Sequence, residues 1–153
     1  MKIAVFPGSF DPITLGHQDI VERALPLFDK VIIAIGTNSA KNYLFSEEDR
    51  KLFIEKTFSN PKIEVSTYIG LTVDFCNKIG ANFIIRGIRN SADYNFENSI
   101  AQMNKTMSNK IETLFLPTSP SLSAINSTIV RDILVNGGDV SQFIPDSIKD
   151  IIR

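Results

Sequence analysis

The sequence is poor in the residue types that most often carry covalent or metal chemistry. Of its 153 residues one is cysteine, Cys76, and one is histidine, His17. A lone cysteine excludes an internal disulfide and argues against a cysteine-rich zinc site. One histidine without a Gly-x-Ser-x-Gly elbow speaks against a Ser-His-Asp hydrolase. Neither a Walker Gly-x4-Gly-Lys-Ser/Thr nor a spaced Gly-x-Gly-x-x-Gly occurs, so a P-loop NTPase and a nicotinamide dehydrogenase are both unsupported. Charge of one sign is also lacking. Sixteen Lys and Arg stand against 17 Asp and Glu, so no global basic field is offered to nucleic acid or to an anionic membrane. Any anion that binds must meet a locally basic site. No apolar run approaches the length of a membrane span, and Met1 runs almost directly into a strand with no basic leader before it. A cytoplasmic protein with no membrane partner is expected. Repeats, low-complexity stretches and linkers are absent, and the length suits one domain over 1–153.

What is present is a regular alternation. Short apolar runs at Ile3–Phe6, Val31–Ile35, Ile63–Val65, Phe83–Arg86 and Thr113–Leu116 read as strands, most of them covered on both faces. Helical stretches lie between them at 16–28, 46–57, 71–79 and 93–107, with further helix at 127–136 and 145–152. The first has its apolar residues, Ile20, Val21, Ala24, Leu25 and Phe28, at helical period. Ser46 followed by three acids suits a helix N-terminus, Gly80 a C-cap, and Gly137-Gly138 a break. Repeated strand–helix units predict an α/β fold, a Rossmann-like doubly wound parallel sheet of five strands with helices on both faces. Such sheets bind ligands beyond the carboxyl ends of their strands, where strand order reverses.

That rule directs attention to the strand ends. The first leads into Pro7-Gly8-Ser9-Phe10-Asp11-Pro12-Ile13-Thr14-x-Gly16-His17, a tight turn and then a helix start. Glycine lets backbone approach a phosphate, and a helix N-terminus favours negative charge. A histidine there can hydrogen-bond a phosphoryl oxygen and follow charge as it develops. The plainer reading, a turn with a capping threonine and an exposed histidine, would hold for an isolated Thr-x-Gly-His but not after this preceding turn. The fourth strand ends in Arg86-Gly87-Ile88-Arg89, whose guanidinium forks match phosphate geometry. The plainer alternative is a pair of surface salt bridges. Lys41, in a loop with Asn38, Ser39 and Asn42, would be an ordinary solvated lysine elsewhere. Ser119 to Thr128 is rich in hydroxyls and precedes another helix start, so it reads equally as a cap or as a second anion site. The third strand end, Gly70-Leu71-Thr72, carries no comparable polar cluster. On pattern alone Glu97 is an exposed helix acid, and Cys76 and the Met and Phe residues are core. A cleft of phosphate-binding groups without a protein nucleophile suits direct phosphoryl or nucleotidyl transfer.

Over essentially its whole length the chain resembles the bacterial phosphopantetheine adenylyltransferases, members of the nucleotidylyltransferase superfamily with the Thr/His-x-Gly-His signature. The resemblance is carried by Pro7–Ile20, Lys41 before Phe45-Ser-x-Glu-x-Arg50, Gly70-Leu-Thr-Val-Asp-Phe75, Arg86–Arg89, Ala92-Asp-Tyr-x-x-Glu97, Gln102-Met-Asn104 and Ile125-x-Ser-Thr128. It implies transfer of the adenylyl group of ATP to 4′-phosphopantetheine, giving dephospho-coenzyme A and pyrophosphate with Mg²⁺ assistance and no covalent enzyme intermediate. By the same resemblance His17 would stabilise the transition state, with Lys41 and Arg89 beside it as catalytic groups. Ser9, Phe10, His17, Gly87, Ile88, Arg89, Glu97 and the loop Leu122, Ser123, Ala124, Ile125, Asn126, Ser127 and Thr128 would hold ATP. Ser9, Lys41, Thr72 and Arg86 would hold the acceptor. It further implies a homohexamer, a dimer of trimers, and coenzyme A as a feedback ligand. No protein metal site is visible, so Mg²⁺ is expected to arrive on the triphosphate. The family usually has Ile-Ser-Ser-Ser or Ile-Ser-Ser-Thr in the last loop, where this chain has Ile125-Asn126-Ser127-Thr128.

Two alternatives stand beside this reading. One is a related transferase that uses CTP or joins ATP to nicotinamide mononucleotide, against which Lys41, Gly70-Leu-Thr and the Arg86–Arg89 pair argue. The other is a non-catalytic nucleotide sensor, against which the intact His17, Lys41 and Arg89 argue.

Overall fold

Side chains of the central strands alternate between two apolar layers, as the pleat of a sheet covered on both sides requires. The computed structural model of the chain describes residues 1–152. Five strands, β1 (Ile3–Gly8), β2 (Lys30–Thr37), β3 (Ile63–Ile69), β4 (Phe83–Ile88) and β5 (Glu112–Pro117), form one sheet in the order β3-β2-β1-β4-β5. Every pairing is parallel. Ala4, Phe6, Val31, Ile33, Ile35 and Ile85 face one layer, Val5, Ile32, Ala34 and Ile84 the other.

Five α-helices connect or follow the strands: α1 (Leu15–Ala24), α2 (Glu47–Thr57), α3 (Thr72–Ile79), α4 (Ser91–Met107) and α5 (Ser127–Val135). The larger layer takes Ile20 and Val21 of α1, Phe53 and Ile54 of α2, and Val130 of α5. The smaller takes Val73 and Cys76 of α3. The expected doubly wound α/β fold is therefore the one found. Local signals act as their chemistry dictates: Ser46 caps α2 through the Asp49 N–H (3.1 Å), and Gly80, at φ 75°, closes α3 in the left-handed region.

Three expectations need correction. The helix predicted over 16–28 stops at Ala24, and Leu25–Leu27 continue as a 3₁₀ turn because Pro26 has no N–H to extend the ladder. The helix predicted over 145–152 is only a 3₁₀ turn at Asp146–Ile148; burial of Val140, Ile144 and Ile148 in the larger layer dictates that segment's path. The Met and Phe residues are not all core. Along α4, Phe96 is 67% exposed and Met103 66%, with Met107 also exposed, and the one buried side chain of that helix is Glu97. A 17-residue helix thus presents an apolar stripe, Phe96, Ile100, Met103 and Met107, to solvent.

Ile33 is fully buried at the centre of β2. Ile33→Ala should lower the unfolding free energy by about 2–5 kcal/mol with an unchanged denaturant slope, as read by equilibrium urea unfolding.

Candidate active site

The strand order reverses at β1, which has β2 on one side and β4 on the other. The connections from these strands cover opposite faces, so the carboxyl end of β1 opens into a crevice. Two cavities meet there, of about 330 Å³ and about 290 Å³, and both are lined by Pro7, Gly8, Ser9, Arg86 and Glu97. The first extends toward the β2 and β3 ends and takes in Lys41, Tyr43, Tyr68, Thr72, Phe96 and Ile100. The second extends over the α1 and α5 starts and takes in Phe10, His17, Arg89, Ile125, Asn126 and Arg131.

His17 is held by a reciprocal cap. Thr14, the residue before α1, accepts the His17 N–H on its side chain (3.4 Å), while the Thr14 N–H donates to His17 Nδ1 (3.0 Å). Nδ1 must therefore be unprotonated, and in the neutral ring the proton sits on Nε2. Burial, then the charges of Arg86 and Arg89, press the imidazole pKa down to about 4. His17 is accordingly a neutral Nε2–H donor at physiological pH. Phe10 and Phe6 meet its ring edge-on, at centroid separations of 5.0 and 6.1 Å. Phe10 itself adopts φ 48°, a conformation costing on the order of 1–3 kcal/mol for a non-glycine residue. Full burial of its ring, of similar magnitude, offsets that cost.

Arg86 stands in the wall shared by the cavities. Its Nε and Nη2 donate to the two oxygens of Glu97 (2.9 and 2.7 Å) and its Nη1 donates to Pro7 O (2.6 Å). Glu97 is thus not the exposed acid its pattern suggests: it is 9% exposed and orients the guanidinium. The two parallel hydrogen bonds of this pair fix the planes of both groups. Gly87 lies inside β4 rather than in a loop. A Cβ there would come within 3.1 Å of Ile20 Cγ1, so glycine lets α1 lie close over the strand. Arg89 is fixed by Asp93, which accepts from its Nε (2.9 Å) and Nη2 (3.2 Å); the guanidinium holds the Asp93 carboxyl below its ordinary range.

The last loop divides. Asn126 caps α5, accepting the Ile129 N–H (2.9 Å), and lines the second cavity. Ile125 and Ser127 also line that cavity, and Ser127 Oγ donates to Pro12 O (2.9 Å). Leu122, Ser123, Ala124, Thr128 and Ile88 are not among its lining residues. The third strand end, unremarkable in sequence, does contribute: Thr72 starts α3, its hydroxyl lies 2.8 Å from that of Tyr68, and both line the first cavity. Arg131 was missed as a site residue. It lies four residues beyond Ser127 in α5, lines the second cavity, and donates to Asp11 O (2.9 Å) and Thr128 Oγ1 (3.2 Å). The available signal was a cation one turn inside a helix whose start already faced the crevice.

A crevice with several guanidinium groups, a neutral histidine donor and two helix starts defines a phosphate-handling α/β protein. The cytidylyltransferase-like family matches residues 5–133. The chain is 56% identical over 150 residues to the phosphopantetheine adenylyltransferase of Flavobacterium psychrophilum, covering 97% of this chain and 99% of that one. It is 55% identical to the phosphopantetheine adenylyltransferase of Flavobacterium johnsoniae, over 97% and 98% of the two chains. Among solved structures, a bifunctional NMN adenylyltransferase/ADP ribose pyrophosphatase from Francisella tularensis superposes with TM-score 0.73 at 22% identity, over 94% of this chain and 44% of that one, a likeness of fold. The chain belongs to the cytidylyltransferase-like family and, within it, to the phosphopantetheine adenylyltransferases, which are nucleotidyltransferase enzymes.

The His17 pKa carries a sign. The native state disfavours the imidazolium, so its contribution to stability is complete above pH 6.5 and is lost as pH falls from 6.5 to about 4. Over that window wild-type protein should lose stability with an added slope of less than about 1.4 kcal/mol per pH unit. In His17→Gln this component should vanish, as measured by urea unfolding at pH 4.5, 5.5 and 7.

Proposed function

We propose that the chain transfers the adenylyl group of ATP to the phosphate of 4′-phosphopantetheine, releasing dephospho-coenzyme A and pyrophosphate. The observation that carries this reading is the meeting of two unlike cavities at Ser9 and Arg86. One is bounded by phosphate-binding groups. The other is lined by Lys41 together with Phe96, Ile100 and Tyr68, a mixture of charged and apolar groups that suits a phosphorylated chain of mixed polarity.

In this reading ATP lies along the second cavity, with its α-phosphate beside His17 and its outer phosphates toward Arg89 and Arg131. Lys41 and Arg86 hold the acceptor phosphate, and the Thr72 hydroxyl meets the acceptor further along. An acceptor phosphate oxygen attacks the α-phosphorus in line, one P–O bond forms, and the bond to the pyrophosphate oxygen breaks with its electron pair leaving. The attacking oxygen is already anionic, so no general base is required. His17 Nε2–H donates to the α-phosphoryl oxygens as charge shifts onto them, the role its tautomer suits. A covalent intermediate is disfavoured by the chemistry of the nucleophile candidates. Cys76 is fully buried in the smaller layer with its thiol pushed up to about 11, and His17 Nδ1 is engaged by Thr14.

Mg²⁺ in this reading offsets charge on the triphosphate. Among the described residues no group of three or more His, Cys, Asp or Glu could hold a metal. Asp93 and Glu97 at the cavity are already paired with arginines, and Asp11 accepts two backbone N–H groups, so triphosphate oxygens and water would supply most ligands. The exposed stripe on α4, with Ile69 85% exposed on edge strand β3, supports assembly into a homo-oligomer, which we take to be a hexamer built as a dimer of trimers. Coenzyme A, which shares the acceptor's pantetheine chain, would compete for the first cavity. Among the described residues no helix is long and apolar enough to cross a membrane.

Pyrophosphate release measured with ATP and, in turn, 4′-phosphopantetheine, glycerol 3-phosphate and nicotinamide mononucleotide should be found with the first alone. Turnover with either of the others and not with phosphopantetheine would sink the reading. His17→Ala should bind ATP within about threefold of wild type by calorimetry while its turnover falls by roughly 10²–10³-fold. Lys41→Ala should raise the KM for phosphopantetheine by about tenfold or more with little change in the KM for ATP, as loss of a charged hydrogen bond requires.

A further inference from the structure

Arg50 in α2 is 2% exposed, yet it forms no ion pair among the described residues. A buried guanidinium without a carboxylate is costly unless its protons and face are otherwise satisfied. Here Nη1 donates to Ser9 O (2.9 Å), Nε donates to Phe45 O (3.2 Å), and the guanidinium lies 4.0 Å over the Tyr43 ring. Tyr43 in turn accepts the Asn38 N–H on its hydroxyl (3.1 Å). Asp11, also 2% exposed, completes the arrangement from the opposite side, accepting the Leu44 N–H and the Phe45 N–H, both at 2.9 Å.

The consequence is geometric. Lys41 sits in a loop whose start, Asn38, and whose end, Tyr43 to Phe45, are both tied through Arg50 to the backbone of Ser9. Ser9 lines both cavities and Lys41 lines one. The planar fork reaches two carbonyls from separate segments, Ser9 just after β1 and Phe45 just before α2, while its face lies over the Tyr43 ring, which a single ammonium cannot do. We propose that Arg50 is a positioning residue: it holds the Lys41 loop in register with the Ser9 turn and so sets where the acceptor phosphate is presented to the nucleotide. This assignment rests on the reading of the two cavities given above.

Arg50→Met keeps much of the volume and removes both hydrogen bonds. Backbone hydrogen exchange of the unliganded protein should show the amides of Asn38, Leu44 and Phe45 exchanging about tenfold faster or more, with β1 and β4 unchanged. Steady-state kinetics should show kcat lower and the acceptor KM higher, each by about tenfold, while the ATP dissociation constant stays within about threefold. Arg50→Lys should recover less than half of the lost exchange protection. Equal loss of ATP and acceptor binding with faster exchange across the whole sheet would mean a merely structural role, and unchanged exchange at 38–45 would overturn the proposal outright. If Arg50→Met does not fold, Tyr43→Leu breaks the same linkage from the other side and carries the same expectation. Wild-type protein that turns over none of the acceptors would defeat the functional reading alone, since the exchange measurement decides the positioning role without chemistry.

Discussion

The structure depends on the reversal of strand order at β1. Once β2 and β4 both pair with that strand and its neighbours' connections leave on opposite faces, the backbone beyond Gly8 leaves the sheet ladder. Whatever follows must satisfy its own hydrogen bonds. The Ser9–His17 segment does so by borrowing partners from distant parts of the chain. Arg50 takes Ser9 O, Arg131 takes Asp11 O, Ser127 takes Pro12 O, and the Asp11 carboxylate collects the amides of Leu44 and Phe45. Helices α2 and α5 and the loop after β2 are therefore seated on one turn, and the rims of both cavities are the by-product of satisfying it.

Electrostatics follow from that seating. The chain as a whole is near neutrality, with formal net charge −1 at pH 7, yet Arg86, Arg89 and Arg131 converge on one crevice. Two of them are restrained by acids, Arg86 by Glu97 and Arg89 by Asp93, which hold the forks in place before any ligand arrives. Burial of the ring, then the fields of Arg86 and Arg89, keep His17 neutral, and the Thr14 cap decides which nitrogen bears the proton. The ring is thus held in one tautomer and one orientation by groups of the protein itself.

Much of this was legible in residue order. Continuous apolar strands, the turn at Pro7–Asp11, the cap at Ser46 and the C-cap at Gly80 are local signals, each governed by chemistry within a few residues. His17, Lys41 and Arg86–Arg89 could be singled out because strand ends in a parallel sheet share one edge. The errors have a common character. Glu97 looked exposed because helical pattern cannot show that a guanidinium from β4 lies opposite it. The 145–152 segment looked helical, but Ile148 and Ile152 answer to the core rather than to helical period. The Phe and Met residues of α4 looked like core because hydrophobicity does not reveal which surface receives them.

By itself the sequence determined the class of fold and singled out several of the residues that line the crevice at the strand ends. These depend on periodicity, on turn chemistry and on motif spacing, all of which are properties of neighbours in the chain. Only the tertiary structure decided that Glu97 orients Arg86, that Thr72 and Tyr68 help line the first cavity, that Arg131 reaches the first turn and that Arg50 joins the turn after β1 to the residue before the α2 cap. Each of those is an arrangement that the folded chain creates, most of them between groups distant in sequence. It exists because a buried polar atom must find a partner, and which partner lies within reach is known only once the sheet has closed.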